Sequence, residues 1–172
     1  MTAAYKIHAK YGNIFGLNVY TKLEPLREDL VVDKKYINAI GNKIVYHYSE
    51  PPESWNIRGV TQKAVRIELN DGSYFKPHKD LFPFIDDPFI RLLCFANHSH
   101  PEECTFIIDG KITHFKSGQW MCFNPCLTHY SICFTDNTVH YAIDLDLRDN
   151  FTYGWLMDNI EHTQRNQGPD YK

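Results

Sequence analysis

From residue 62 onward, apolar and polar residues alternate in short runs with the two-residue period of half-buried strands. Val65, Ile67 and Leu69 alternate with Arg66 and Glu68, and the run closes in the turn cluster Asn70-Asp71-Gly72-Ser73. Phe89-Ile90-Arg91-Leu92-Leu93-Cys94 predicts the next strand. Residues 106–115 predict a tight hairpin, because Asp109-Gly110 supplies the two positive-φ positions of a type I′ turn. Ser117-Gly118 turns the chain into Gln119-Trp120-Met121-Cys122-Phe123. Residues 130–134 and 138–147 read as one more strand pair, with Val139, Tyr141, Ile143, Leu145 and Leu147 on one face and His140, Ala142, Asp144 and Asp146 on the other. A hairpin centred on Asp136-Asn137 sets Cys133 opposite His140 and Ser131 opposite Ala142, so that His129, Ser131, Cys133 and His140 share an inner face.

The first 60 residues are less regular. Leu26, Leu30, Ile37 and Ile40 predict an amphipathic helix over 25–40, with Pro25 in its first turn. Residues 49–54 form a Ser/Pro/Glu loop, and the polar tail beyond Glu161 is expected to be mobile. Seven or eight short strands with little helix after residue 60 predict a mainly β fold, a sandwich or barrel. The preferred member of that set is a double-stranded β-helix (a cupin-type jelly roll) with some N-terminal helix. The expected organisation is one domain over 1–172: an elaboration at 1–60, the jelly-roll core at 61–148 and a C-terminal segment at 149–172.

Composition agrees with that picture. A chain of 172 residues can bury one real core, and halving it would leave two marginal ones. The aromatic load of 11 Tyr, 11 Phe and 3 Trp suits pleated surfaces. A net charge of −3 with dispersed Lys and Arg offers no concentrated basic face, so nucleic acid is not expected as a partner. No run approaches the length of a membrane span, and the first residues lack the apolar stretch of a secretory signal. The expected location is therefore the cytoplasm, with no membrane partner. The five cysteines, at 94, 104, 122, 126 and 133, read as reduced thiols of a reducing compartment.

The candidate chemistry begins at Lys76-Pro77-His78-Lys79-Asp80. His-x-Asp at a strand end puts an imidazole and a carboxylate on one face, able to enter one coordination sphere. Two histidines and one carboxylate leave three adjacent positions of an octahedral iron(II) open. The pair alone is common by chance, but its surroundings are ordered: Gly72 before it, Arg91 on the following strand, Gly118 opening a strand that runs to Asn124-Pro125, and His129 eleven residues after that glycine.

In this order and spacing, residues 60–147 resemble the aspartyl/asparaginyl β-hydroxylase and proline hydroxylase branch of the 2-oxoglutarate-dependent iron(II) oxygenases. The resemblance implies His78, Asp80 and His129 as iron ligands and Arg91 at the co-substrate. It further implies Fe(II), 2-oxoglutarate and O2 as reactants, and hydroxylation of an unactivated carbon of an amino acid, free or in a peptide. The chain departs from the family at one point. An Arg is usual about ten residues after the distal His, and here His140 stands there. An imidazole is shorter than a guanidinium and, at its ordinary pKa near 6.5, charged only part of the time. Either His140 binds the far carboxylate with help from Ser131, or another cation does, or the co-substrate differs.

Two alternatives come from other classes: a catalytically silent cupin-like binding module, and a zinc-stabilised binding protein built on Cys94, His98, His100 and Cys104. Cys122 and Cys126 read as buried small hydrophobes, and Trp120 and Tyr130 as aromatics that could line a substrate pocket.

Overall fold

The computed structural model describes residues 2–22, 31–33, 39–40, 43–48, 51–57, 59–60, 62–69, 72–80, 89–114, 116–136 and 138–161. A short helix α1 (Ala3–Tyr11) opens the chain, capped by Thr2, whose hydroxyl accepts from Tyr5 N at 3.2 Å. Twelve strands follow: β1 (Ile14–Tyr20), β2 (Val31–Asp33), β3 (Ala39–Ile40), β4 (Lys43–Tyr48), β5 (Gln62–Leu69), β6 (Tyr74–His78), β7 (Phe89–Ala96), β8 (Cys104–Ile108), β9 (Lys111–His114), β10 (Gln119–Phe123), β11 (His129–Cys133) and β12 (Thr138–Asp146). A helix α2 (Asn150–Asn159) closes the described chain.

The strands form two antiparallel sheets, ordered β1-β10-β7-β12-β5-β4-β2 and β3-β6-β11-β8-β9. Within them lies an eight-strand core. Strands β5, β7, β10 and β12 lie together in the large sheet, β6, β8, β9 and β11 in the small one, and the chain crosses between the sheets as it advances. This interleaving is the double-stranded β-helix expected from the sequence. The Asp109-Gly110 turn between β8 and β9 has φ of 49° and 75°, the paired positive values of a type I′ turn.

Two hydrophobic layers explain the strand sequences. Between the sheets pack Ile67, Leu69, Phe75, Leu93, Phe95, Phe106, Ile108, Met121 and Phe123. The outer face of the large sheet carries Leu92, Cys94, Trp120, Cys122, Tyr141 and Ile143, which meet Ile7 of α1, Leu156 of α2, and Trp55 and Ile57. Strand β7 is therefore buried on both faces and reads as a nearly continuous apolar run. Trp55 stacks edge-on against Tyr141 with ring centroids 4.6 Å apart. The Trp120 indole N–H donates to Thr21 Oγ1, whose own hydroxyl donates to Trp55 O, each at 2.9 Å. Gly118 (φ +81°) is required where it stands, because a Cβ there would meet the Thr21 carbonyl at 2.3 Å.

Two expectations are corrected. The segment 25–40 is not one helix: β2 pairs with β4 and β3 with β6, so sheet-edge hydrogen bonds win over the helical spacing; Leu26, Leu30 and Ile37 themselves lie outside the described residues. Strands β11 and β12 are not a hairpin. β11 pairs with β6 and β8, while β12 pairs with β5 and β7. The turn signal at 134–137 marks a crossing between sheets, and alternation along two neighbouring runs does not reveal their partners. The little α-helix found after residue 60 among the described residues is α2, where the Asp149 carboxylate accepts from Thr152 N at 2.8 Å. Strands β1–β4 of the first 60 residues extend both sheets. Residues 53–55 of the expected loop make a 3-10 turn, and the polar tail lies outside the described residues.

Candidate metal centre

Strands β6 and β11 are neighbours in the small sheet, and their register sets His78 directly opposite His129. Lys79 and Asp80 continue past the end of β6, where the Asp80 N–H donates to Pro125 O at 2.8 Å and fixes the carboxylate beside both rings. The two imidazole centroids are 4.4 Å apart. Asp80 Oδ1 lies 3.7 Å from His78 Nε2, and Asp80 Oδ2 lies 3.4 Å from His129 Nε2. One ligand atom from each residue falls within 4.8 Å of the others, and this is the one such His/Cys/Asp/Glu group among the described residues.

Local backbone geometry aims the rings. His78 Nδ1 donates to Lys76 O at 2.6 Å, and His129 Nδ1 donates to Leu127 O at 2.9 Å. A carbonyl only accepts, so each Nδ1 carries a proton and each ring turns its Nε2 toward the other and Asp80. Burial pushes the Asp80 carboxyl up, but the His129 hydrogen bond and the charges of Arg91, His129 and His78 outweigh it and hold the carboxyl below its ordinary value. It is ionised at neutral pH. Two imidazoles and one carboxylate fit a divalent iron site with open positions by donor type.

Behind the triad a cavity runs between the sheets, lined among others by Arg91, Tyr130, Ser131, His140 and Ala142. Ser131 is buried on β11 and His140 faces it from β12, across the inter-sheet space rather than within a hairpin. The His140 ring packs against Phe75 and Phe95 with centroids 5.0 and 4.9 Å away. Its Nδ1 is closed off with no hydrogen-bond partner among the described residues. Burial, and then the nearby charges of Arg91, His129 and His78, push its pKa down to about 3. At neutral pH this imidazole is uncharged, which corrects the expectation of a part-time cation.

Arg91 sits on β7 opposite Asp144 of β12. Its Nε donates to Asp144 Oδ1 at 2.6 Å and its Nη2 to Asp144 Oδ2 at 2.8 Å, a bidentate pair. Its Nη1 donates to Asp80 Oδ2. Asp144 was visible in the sequence as a neighbour of His140 on the inner face, but not as the partner that orients Arg91. Asp86 and Asp87, the acidic residues just before β7, lie outside the described residues.

The rival zinc set is not assembled. Cys94 faces the outer layer of the large sheet and Cys104 the space between the sheets, so β7 separates them. None of the five cysteines is joined in a disulfide. Cys122 is buried, but Cys126 is exposed in the turn before β11, which corrects its reading as a core residue. Tyr130 lines the cavity; Trp120 belongs to the outer core instead.

No family model matches the chain, and no curated protein matches it. Among solved structures it is similar to KdgF from Halomonas sp., with a TM-score of 0.48 and 9% identity over 73% of this chain and 94% of that one. A cupin-2 domain from Rhodospirillum rubrum gives 0.48 and 6% over 85% and 92%. The polyketide cyclase RemF from Streptomyces resistomycificus gives 0.47 and 9% over 73% and 79%. These are likenesses of fold, and function is argued from the side chains. In class, the molecule is a double-stranded β-helix carrying a candidate two-histidine, one-carboxylate centre between its sheets. No helix of the described residues is long and apolar enough to cross a membrane.

Proposed function

We propose that the protein is a non-haem iron(II) oxygenase that uses 2-oxoglutarate to hydroxylate a carbon of an amino acid, free or in a peptide. The observation that carries this reading is the convergence of His78 Nε2, His129 Nε2 and Asp80 within 4.8 Å beside a cavity. Bound iron(II) would supply the site at which the keto acid and dioxygen react to give succinate, carbon dioxide and a hydroxylated product.

The chain's own residues divide the remaining work. Lys76 O and Leu127 O orient the two imidazoles. Asp144 holds Arg91, and Arg91 holds Asp80, so the carboxylate reaches the site with its direction set. Arg91 also places a positive charge at the cavity wall, where a dianionic co-substrate would lie. His140 contributes as a neutral donor: its buried Nδ1 is an unanswered polar atom that a carboxylate oxygen would satisfy, with the Ser131 hydroxyl across the cavity. Phe75, Phe106 and Phe123 line the apolar wall and exclude water.

The experiment is succinate release from 2-oxoglutarate across an amino-acid and peptide panel, with iron(II) and ascorbate. Substrate-stimulated succinate carries the reading; none above the metal-free control across the panel overturns it. One observation favours a second reading, a binding module without turnover. Asp80 is already paired with Arg91, and its carboxylate lies 3.4 Å from His129 Nε2, so part of its charge is compensated without an ion. That reading expects no iron binding and no succinate.

A further inference from the structure

At the far end of β11 from His129, Cys133 stands directly opposite Cys104 of β8. Phe134 N donates to Glu103 O at 2.7 Å, beyond the cysteine pair, and Cys133 N donates instead to Ser73 O, on its other side, at 3.0 Å. Cys104 and Cys133 therefore form a non-hydrogen-bonded antiparallel pair, the type in which side chains approach most closely. Both thiols point into the space between the sheets and are fully buried. In such a pair the Cα atoms lie within the range a disulfide accepts, and only a small approach of the Cβ atoms separates two thiols from a bond.

We propose that Cys104 and Cys133 are a redox-active dithiol that a peroxide-class oxidant closes to an intramolecular disulfide. The thiolate of one cysteine attacks the peroxide O–O bond, giving a sulfenic acid and, after protonation, water. The second thiol attacks the sulfenic sulfur, the S–S bond forms, and the hydroxyl leaves as a second water, so two thiols are oxidised by two electrons as one peroxide is reduced.

The surroundings select which sulfur reacts first. A hydrogen bond from Cys133, with further help from His98 and Thr138, outweighs burial and brings the Cys104 thiol down to about 6, and the same contact pushes Cys133 up. Thr138 Oγ1 lies 3.8 Å from Cys104 Sγ. His98, on the other side of Cys104, lines a polar groove with Lys22, Asn97, Ser99 and Ser117 that opens to solvent. Cys104 itself is fully buried, so a small neutral oxidant, and not a bulky disulfide such as oxidised glutathione, is the class of reagent expected to reach it. Cys104, with Thr138 and His98 beside it, is thus the thiol that attacks the peroxide, and Cys133 the resolving one.

The test is to treat the purified protein with hydrogen peroxide, alkylate the remaining thiols under denaturing conditions, and map the peptides by mass spectrometry. The expected product is a Cys104–Cys133 linked peptide, lighter by two hydrogens, that dithiothreitol removes. Exposed Cys126 is the internal control for general oxidation. In Cys133→Ser, a dimedone adduct should accumulate at Cys104. The proposal is overturned if both thiols are still fully alkylated once Cys126 has been oxidised. It is equally overturned if the bridge forms between chains, or if Cys104 and Cys133 over-oxidise separately without a linked peptide.

Discussion

His140→Leu should make the protein less sensitive to acid unfolding, a direction opposite to most core substitutions. In the folded protein the buried ring has its pKa pushed down to about 3, whereas in the unfolded chain it titrates near 6.5. Between those values the unfolded state binds a proton that the folded state refuses, so stability rises with pH up to about 6.5 and falls as the solution is acidified toward 3. From pH 7 to pH 5 the loss attributable to this one ring is about 2 kcal/mol, taken from one and a half pH units at about 1.4 kcal/mol each. Leucine has no proton to bind and fits between Phe75 and Phe95. Urea unfolding at pH 7 and pH 5, in chelator for both proteins, measures the difference. Wild type should lose about 2 kcal/mol more than His140→Leu across that interval. An equal loss in both would show that the ring is not held neutral, and with it the role of His140 as an uncharged donor in the cavity would go.

Other expectations follow from the same geometry. Asp80→Ala should abolish turnover while near-UV circular dichroism stays native, and His114→Ala, on the exposed edge strand β9, should change neither. Arg91→Lys loses the bidentate pair with Asp144 and should raise the apparent KM for 2-oxoglutarate about tenfold, near 1.4 kcal/mol; an unchanged KM would leave Arg91 as a holder of Asp80 alone. Gly118→Ala drives a Cβ into the Thr21 carbonyl at positive φ and should cost at least about 2 kcal/mol, read as a lowered urea midpoint. An unshifted midpoint would mean that the β1–β10 connection relaxes freely.

The core of the fold was legible because its strands are short, alternate cleanly and end in strong turn signals. Asp109-Gly110 is the clearest case, since the dipeptide alone specifies its turn. The N-terminal strands were hidden for the opposite reason: β2 and β3 are only three and two residues long, and tertiary pairing rather than local propensity makes them strands. The β11–β12 error has the same root. Period-two patterns give the inner face correctly, which is why Ser131 and His140 do meet across one cavity, but they carry no information about pairing. At the site, His78 and Asp80 were readable from their spacing, and His129 from its place in a longer ordered pattern. Asp144 was not, because a carboxylate on an inward face has no meaning until Arg91 is seen on the neighbouring strand. The depressed titration of His140 was equally invisible, since it depends on closure of the space around Phe75 and Phe95.

Anaerobic iron(II) titration of chelator-stripped wild type and His78→Ala, followed by equilibrium dialysis, addresses the metal centre most directly. Wild type should retain one iron per chain, and His78→Ala should lose it at the same free metal concentration while unfolding at an unchanged urea midpoint. Iron retained equally by both proteins, or by neither, would contradict the assignment of His78, Asp80 and His129 as the ligands.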